Sequence, residues 1–563
     1  SLVAPAAAGA PAVQPKLGPY VRHGVSEPIS LQEPTEVDVA LSEEMLAQLE
    51  AEFPAETEDG TKNREAVLQE IQQMVSDWLT GLLMEGGASD EEARRSSIAI
   101  TTLGSYRLGV VHPGSDIDTL CIAPPNVRRE DFFATFFERL NRHEHVTECV
   151  PIPDAYTPII KLKMRGVCID LLFARLARLS EGESPEEARL RGGVVNLDTC
   201  REDDALKDMD EKSVRCLNGF RVADLILRLV PNHETFRRTL RFIKYWARRR
   251  GIYSNILGFF GGITWSLLVA RVCQLYPHYS PSQLTHRFFR LWAQWDWRKP
   301  VLLCEITDPA NVPGMTEFKV WNPKTNPADR QHLMPVITPA FPSMNSTYNV
   351  TETTKRIMLE EFKRGYETMK NVEARKATWS QVTEPFPFFT RFGHFLWLEV
   401  LAKTDEAYTK FSGFVESKLR FLVMELEAAT GMIIHPNPVQ YDLCGTDPVW
   451  PQGCGMFVGF CFSREQGAVP GQTVDLRRAL TQFAELVTQW TEKDHYHGQI
   501  RCRLKRISRA ELPLYAVDPR AAARRRPREG AGGAAEPAGK RPREAARAVA
   551  EASRRIPARA DGR

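Results

Sequence analysis

The chain predicts an α+β multidomain protein, and three stretches carry that reading. From Ser97 to Pro124 short β-branched runs surround a Gly-rich turn, and a helical pattern and two further strand-like runs follow to Leu172, which describes a mixed α/β unit. From about Leu190 to Arg375 helical spacing dominates. From Phe388 to Ser508 the order reads β-α-β-β-α-β, the ferredoxin-like arrangement.

The elements follow in order. Residues 1–25 are expected to be flexible, a character reaching to about residue 30, and 26–62 to supply N-terminal helices packing on the central unit. Leu68, Ile71, Val75, Trp78 and Leu82 place a helix over Arg64–Leu83. It opens an α/β unit taken as 63–180, with a helix over Asp131–Leu140 and two strands within Thr157–Leu172. In the central unit, 181–375, Asn232 caps a helix running to Arg250. Phe236, Leu240, Ile243 and Ala247 form its apolar stripe, and Arg237, Arg241, Lys244 and Arg248 form a second, basic stripe. The last unit, 376–512, has strands near Phe395–Leu401, Met432–His435, Met456–Phe462 and Ile500–Ile507, with helices over Glu406–Ala429 and Val474–Trp490. From 513 to 563 the composition predicts a disordered basic tail.

Bulk properties narrow the class. The 563 residues are 43% apolar and 26% charged, ordinary for a globular protein. A net charge of +2 hides an asymmetry. From Ala516 onward there are 13 Lys and Arg against 6 Asp and Glu, so that tail carries +7 and the rest of the chain −5. Basic surface on the body is therefore local. The 11 cysteines are scattered singly without a CxxC pair, so neither a zinc ribbon nor a thioredoxin-type site is signalled. A reduced, intracellular protein fits best. Cys121 and Cys168 stand in apolar runs and read as core, and the sequons at Asn345 and Asn349 read as chance. Ser1–Pro15 lacks the pattern of a signal peptide. The longest apolar stretch, Ile256–Ala270, is short for a membrane span and broken by glycines, so it reads as a buried loop entering a core helix.

The sharpest chemical signal is Leu103-Gly-Ser-Tyr-Arg-Leu-Gly109 followed by Ser115-Asp-Ile-Asp-Thr119. Asp116 and Asp118 are two apart before an apolar run, so on a strand both carboxylates project to one face. Like charges that close are costly unless a cation lies between them. Asp170, in Val167-Cys-Ile-Asp-Leu-Leu-Phe173, is an odd residue for a buried strand. If the two strands are neighbours, three carboxylates converge and can hold two divalent metals. Gly104 lets the backbone approach a phosphate, and Ser105 begins a segment whose N–H groups can bind the anion. There is no P-loop or kinase signature.

These motifs, with Ser213–Asp224, Ile243–Trp265, His332–Ala340 and Asn345–Val350, resemble the eukaryotic nuclear poly(A) polymerases of the DNA polymerase β-like nucleotidyltransferase superfamily. The resemblance covers roughly residues 24 to 510. It implies a nucleotidyltransferase α/β catalytic domain, a central helical domain and an RRM-like C-terminal domain. It implies transfer of AMP from ATP to an RNA 3′ end without a template, releasing pyrophosphate. Asp116, Asp118 and Asp170 then hold two Mg²⁺ or Mn²⁺ ions, and Asp170 lies near the primer 3′-hydroxyl. Leu103, where the family usually has Phe, stands with Gly104 and Ser105 on the nucleotide, and Asn218, Lys244, Tyr253, Gly262 and Ile263 match positions lining the ATP site. A nuclear monomer, working with cleavage and polyadenylation factors and away from membranes, is what the likeness further implies.

Alternatives stand beside these readings. Arg237, Arg241 and Arg248 read as surface. Tyr253 is either a stacking ring or half-buried core. Gly455-Met-Phe-Val-Gly-Phe460 is an imperfect RNA-reading core, so RNA contact through charge and shape is expected there, or a purely structural domain. His143-x-His145 and His495-x-His497 lack partner ligands at zinc spacing and read as exposed. Arg524–Arg526 and Lys540–Arg543 read as a nuclear import signal, an RNA-binding tail or a solubilising one. A uridylyltransferase and a catalytically dead RNA-binding scaffold are the rival functions.

Overall fold

The structure, a computed structural model, describes residues 22–179, 184, 193–312, 314–428, 432–462 and 475–517. Thr35 and Thr57 each accept a hydrogen bond from a backbone N–H three residues on. Each starts a helix, α1 (Glu36–Glu52) and α2 (Glu58–Glu85), numbering only helices longer than ten residues. The α2 residues Val67, Ile71, Val75 and Trp78 are buried against a five-stranded sheet. Its strands are β1 (Ala99–Thr102), β2 (Ile117–Ala123), β3 (Val146–Ile152), β4 (Ile159–Met164) and β5 (Val167–Arg175), in the order β1-β2-β5-β4-β3. The pair β2–β5 is parallel and the others are antiparallel. Leu120–Ala123 and Leu171–Ala174 are buried runs, as expected for strands covered on both faces.

Three expectations for this unit change. Cys168 is exposed, unlike Cys121. It lies two residues before Asp170 and shares its side of β5, so it looks into the cleft rather than the core. The helix over Asp131–Leu140 is interrupted by a π turn, Phe132–Phe136, from which Phe132 and Phe136 both pack on Trp78. Strand β3 has no counterpart in the sequence reading, because an edge strand with Thr147 and Glu148 exposed carries little apolar alternation.

The central helices are α3 (Glu211–Leu229), α4 (His233–Arg249), α5 (Gly262–Leu275), α6 (Pro281–Gln294) and α7 (Glu352–Glu373). Asn232 caps α4 through the Thr235 N–H, and the stripe Phe236, Leu240, Ile243 and Ala247 is fully buried. Helix α5 is buried from Thr264 to Leu275, a run that takes in the last part of the long apolar stretch, Thr264–Ala270. Trp246 of α4 packs against Trp265, Phe289 and Phe362. The helical reading fails over residues 295–351, where irregular chain is held by side chains instead. Asn345 Oδ1 accepts from the Val336 and Thr347 N–H groups at 3.0 and 3.1 Å. Asn345 and Asn349 are buried, so both sequons are closed to modification in the folded state.

Helix α1 packs on α4 and α6. The stretch to residue 30 is not free where it is described: Arg271 donates to Ser26 Oγ at 2.6 Å, Gln274 to the His23 carbonyl at 3.0 Å, and the Ile29 N–H to the Leu275 carbonyl at 2.8 Å. Two polar side chains of α5 thus strap this segment down. Residues 1–21 lie outside the described residues, as does the expected tail beyond 517 with its two basic clusters.

The last unit runs β6 (His394–Ala402), α8 (Asp405–Glu427), β7 (Met432–Pro436), β8 (Tyr441–Asp442), β9 (Gln452–Phe462), α9 (Arg477–Thr488) and β10 (Ile500–Ser508). The antiparallel order β10-β6-β9-β7 is that of the ferredoxin-like fold. Helices α8 and α9 pack together, with α8 against the sheet. Phe457 is buried on the opposite face, where Phe388, Phe389, Phe392, Tyr441 and Tyr515 cluster over it. Aromatic rings that an RRM sheet presents to bases are here under cover. Among the described residues no helix is long and apolar enough to cross a membrane.

Candidate active site

The register of β2 against β5 sets Asp118 directly beside Asp170, and Asp116 stands one residue before β2 begins. Strand β4 brings Lys161 opposite Asp170 from the other side, with Nζ at 3.0 Å from both carboxylate oxygens. Burial, then Asp116 and Asp170, push the Asp118 carboxyl up to about 7, against the opposing pull of Lys161 and Lys244. Burial likewise raises Asp170, and Lys161 holds it back. Three carboxylates share this place, and at Asp118 and Asp170 burial and like charge outweigh the positive neighbours.

The backbone around Gly104 is fitted to these carboxylates. The Leu103 N–H donates to the Asp118 carbonyl at 3.0 Å. Gly104 then takes φ +60°, and a Cβ there would lie 2.2 Å from Asp118 Oδ2. Only glycine allows both the turn and the approach. A single helical turn, Gly104–Arg107, follows, with Ser105 in it.

Helix α4 forms the facing wall. Lys244 is 5% exposed. Its ammonium is brought down to about 8 by burial and then by Arg248, while Asp118 and Asp116 oppose that shift. The Arg248 guanidinium lies 4.7 Å over the Tyr253 ring and 5.5 Å over Phe53. At Gly262 a Cβ would meet the Tyr253 hydroxyl at 2.8 Å, so this glycine leaves room for the ring. Gly104, Ser105, Asp116, Asp118, Lys244, Arg248, Tyr253, Gly262 and Ile263 line one cavity of about 710 Å³.

A second, more apolar cavity of about 770 Å³ adjoins it through Gly104 and Ile263. Leu103, Asn218, Val222 and Met344 line it. The Asn218 side-chain oxygen Oδ1 accepts from Arg221 at 2.8 Å, which fixes how its amide faces the cavity. Of the sequence-predicted site residues all but Asp170 line one lobe or the other of this cleft, and Asp170 stands beside Asp118 in register on β5.

The basic stripe of α4 is not idle surface. Arg237 donates to the Leu108 carbonyl at 3.0 Å, bracing the Gly-rich turn. Arg241 pairs with Glu50 at 3.1 Å and donates to the Phe53 carbonyl, tying α4 to α1. Arg248 enters the cleft. One helical periodicity carries all four cations, and the sequence does not reveal what lies opposite each. Lys161 was also missed: its place depends on a register between two strands, although its alternation with Lys163 already marked the polar side of β4.

Family models match the chain in succession: the poly(A) polymerase nucleotidyltransferase domain over residues 24–230, the central domain over 235–385 and the predicted RNA binding domain over 387–445. Nuclear poly(A) polymerase 1 of Arabidopsis thaliana is 42% identical over 474 residues, 84% of this chain and 63% of its own length. Poly(A) polymerase of Dictyostelium discoideum is 39% identical over 498 residues, 88% of this chain and 59% of its own. A poly(A) polymerase of Candida albicans is 42% identical over 416 residues, 74% of this chain and 72% of its own. The chain therefore spans about three fifths of the first two relatives. A solved structure of a cytoplasmic RNA terminal U-transferase overlays 62% of this chain and 99% of its own at 15% identity and a TM-score of 0.40, a likeness too slight to argue from.

Proposed function

Because the chain belongs to the poly(A) polymerase family, we propose that it adds AMP from ATP to the 3′ end of RNA without a template and releases pyrophosphate. The observation that carries this reading is the register of Asp118 against Asp170, with Gly104 pressed on the first carboxylate. In this reading residues 63–180 are the catalytic domain, 181–375 the central domain and 376–512 the RRM-like domain.

The donor set fits hard divalent ions. Asp116, Asp118 and Asp170 offer only oxygen, and two of the three carboxyls are pushed toward protonation by burial and one another, a conflict that cations relieve. They would hold two Mg²⁺ or Mn²⁺ ions, which supply charge neutralisation at the phosphates and a more acidic attacking hydroxyl.

The chain's own groups do the positioning. Gly104 and Ser105 bring backbone N–H groups to the triphosphate. Lys244 meets it as a point charge in a dry wall, and Arg248 adds a second cation held flat by two rings. Asn218 and Ile263 border the lobe suited to the base and the primer end, where Leu103 fills the gap against Gly219. Catalysis then rests on alignment and preorganised charge. The RNA 3′ end and ATP are the substrates, and the nucleus is the compartment, as the relatives' names support. Cleavage and polyadenylation factors are its partners, and it acts as a monomer.

The test is primer extension on oligo(A) with each of the four nucleoside triphosphates, with and without divalent metal. Metal-dependent extension with ATP preferred is expected. Asp116→Ala, Asp118→Ala and Asp170→Ala should each reduce it by more than about 1,000-fold while circular dichroism stays unchanged. Preference for UTP would make the chain a uridylyltransferase, and no extension under any condition would leave a binding scaffold.

A further inference from the structure

His143 and His145 do not stand alone, contrary to the sequence reading. Both are half-buried, and Glu70 of α2 lies between them. Glu70 Oε1 is 2.6 Å from His145 Nδ1 and 3.4 Å from His143 Nε2. The three donor atoms lie within 4.8 Å of one another.

The carboxylate is held for this geometry. Arg165 donates Nε to the other oxygen, Oε2, at 2.8 Å, which leaves Oε1 turned toward the imidazoles. Arg165 is itself fixed in the tight β4–β5 turn at φ +49°, its N–H donating to the His145 carbonyl at 3.0 Å and its carbonyl accepting from Asn63 at 3.3 Å. His145 Nε2 lies 3.7 Å from a Glu144 carboxylate oxygen, the kind of outer partner that orients a ligating imidazole. One weak contact opposes the arrangement: the His145 N–H reaches His143 Nδ1 at 3.4 Å and must be released for that ring to ligate through Nε2.

We propose that Glu70, His143 and His145 form a Zn²⁺ site, built from residues other than the three aspartates. Two neutral imidazoles and one carboxylate oxygen suit a borderline cation, whereas Mg²⁺ asks for oxygen throughout. Three protein donors leave one position for water. The ion would clamp α2 to the edge of the sheet at β3 and to the β4–β5 turn, which joins the strands that carry Lys161 and Asp170.

Titration of the full chain with Co²⁺ tests this. Nitrogen-ligated Co²⁺ in a four- or five-coordinate site absorbs strongly in the visible, and ions held by aspartate oxygens alone absorb weakly. One equivalent of strongly absorbing Co²⁺ is expected, displaced by one equivalent of Zn²⁺, with Zn²⁺ also raising Tm. Loss of an outer partner alone costs 10–100-fold in affinity, so Glu70→Gln and His145→Gln should each weaken Zn²⁺ binding by at least about 100-fold. Mg²⁺-dependent primer extension by these variants reports that they are folded, and His143→Gln, which removes only the longer contact, serves where they are not. No strong Co²⁺ band, or a band that survives these substitutions, overturns the proposal.

Discussion

Arg107 and Asp224 join the Gly104–Arg107 turn to α3, Nε to Oδ1 at 2.6 Å. Arg201 takes the other oxygen at 2.5 Å, and both guanidinium groups lie over the Phe220 ring. Burial alone would raise the Asp224 carboxyl, but the bonds from Arg107 and Arg201 hold it below its ordinary range. Asp224→Ala leaves two cations facing each other across a ring. It should destabilise the fold by about 3 kcal/mol. The turn bearing Ser105 also loses its anchor, so KM for ATP should rise more than kcat falls. Urea unfolding and steady-state kinetics check both, and an unchanged KM in the destabilised variant would reduce the pair to a structural role.

Lys161 holds Asp170 by both oxygens, so it competes with any cation bound there. The pair is partly exposed, worth about 1 kcal/mol. Lys161→Met should therefore lower the Mg²⁺ concentration that half-saturates primer extension by about 5-fold. A Mg²⁺ titration of rate decides it. A higher requirement would show instead that the ammonium orients the carboxylate for the metal.

Lys244 and Arg248 present two cations on one face of α4, and the two repel each other when the cleft is empty. A triphosphate relieves that repulsion. Lys244→Ala should raise KM for ATP by about 10–100-fold, the worth of a charged hydrogen bond. Arg248→Lys keeps the charge but loses the flat contact with Tyr253 and Phe53, so it should cost less than Arg248→Ala. Equal losses for the two Arg248 variants would show that charge contributes nothing there.

What the sequence reveals about this site follows from the range of the forces involved. Asp116 and Asp118 are legible because strand parity acts over two residues, and Gly104 because a positive φ excludes side chains locally. The same parity already sets Cys168 on the side of Asp170, and only the apolar character of its neighbours argues otherwise. Lys161 and Arg248 need a register or a helix face that residues far along the chain decide. The helical reading of 295–351 gives way because buried Asn345 and Thr347 bond backbone groups that a helix would satisfy itself. In the last unit the order of elements is plain, yet the cover on Phe457 comes from Phe388, Phe389 and Tyr515, outside the repeating pattern.

His435 on β7 lies where the last unit meets the central one, 3% exposed among Phe259, Phe386, Phe388 and Phe392. Its Nε2 is 3.5 Å from the Gly251 carbonyl. Burial pushes the imidazole down to about 3, with Arg356 and Arg250 adding to the shift and the Gly251 carbonyl opposing it. The unfolded chain binds this proton near the ordinary value of about 6.5. Between those values the unfolded state holds one more proton than the folded state, so stability falls as pH drops, by up to about 1.4 kcal/mol per unit. Above about pH 7 the group contributes no slope. His435→Leu removes it, so the stability difference between wild type and variant should shift by about 2 kcal/mol in favour of the variant from pH 8 to pH 5. Urea midpoints at the two pH values measure it, and a difference that does not move with pH would mean the folded protein accepts the proton without penalty.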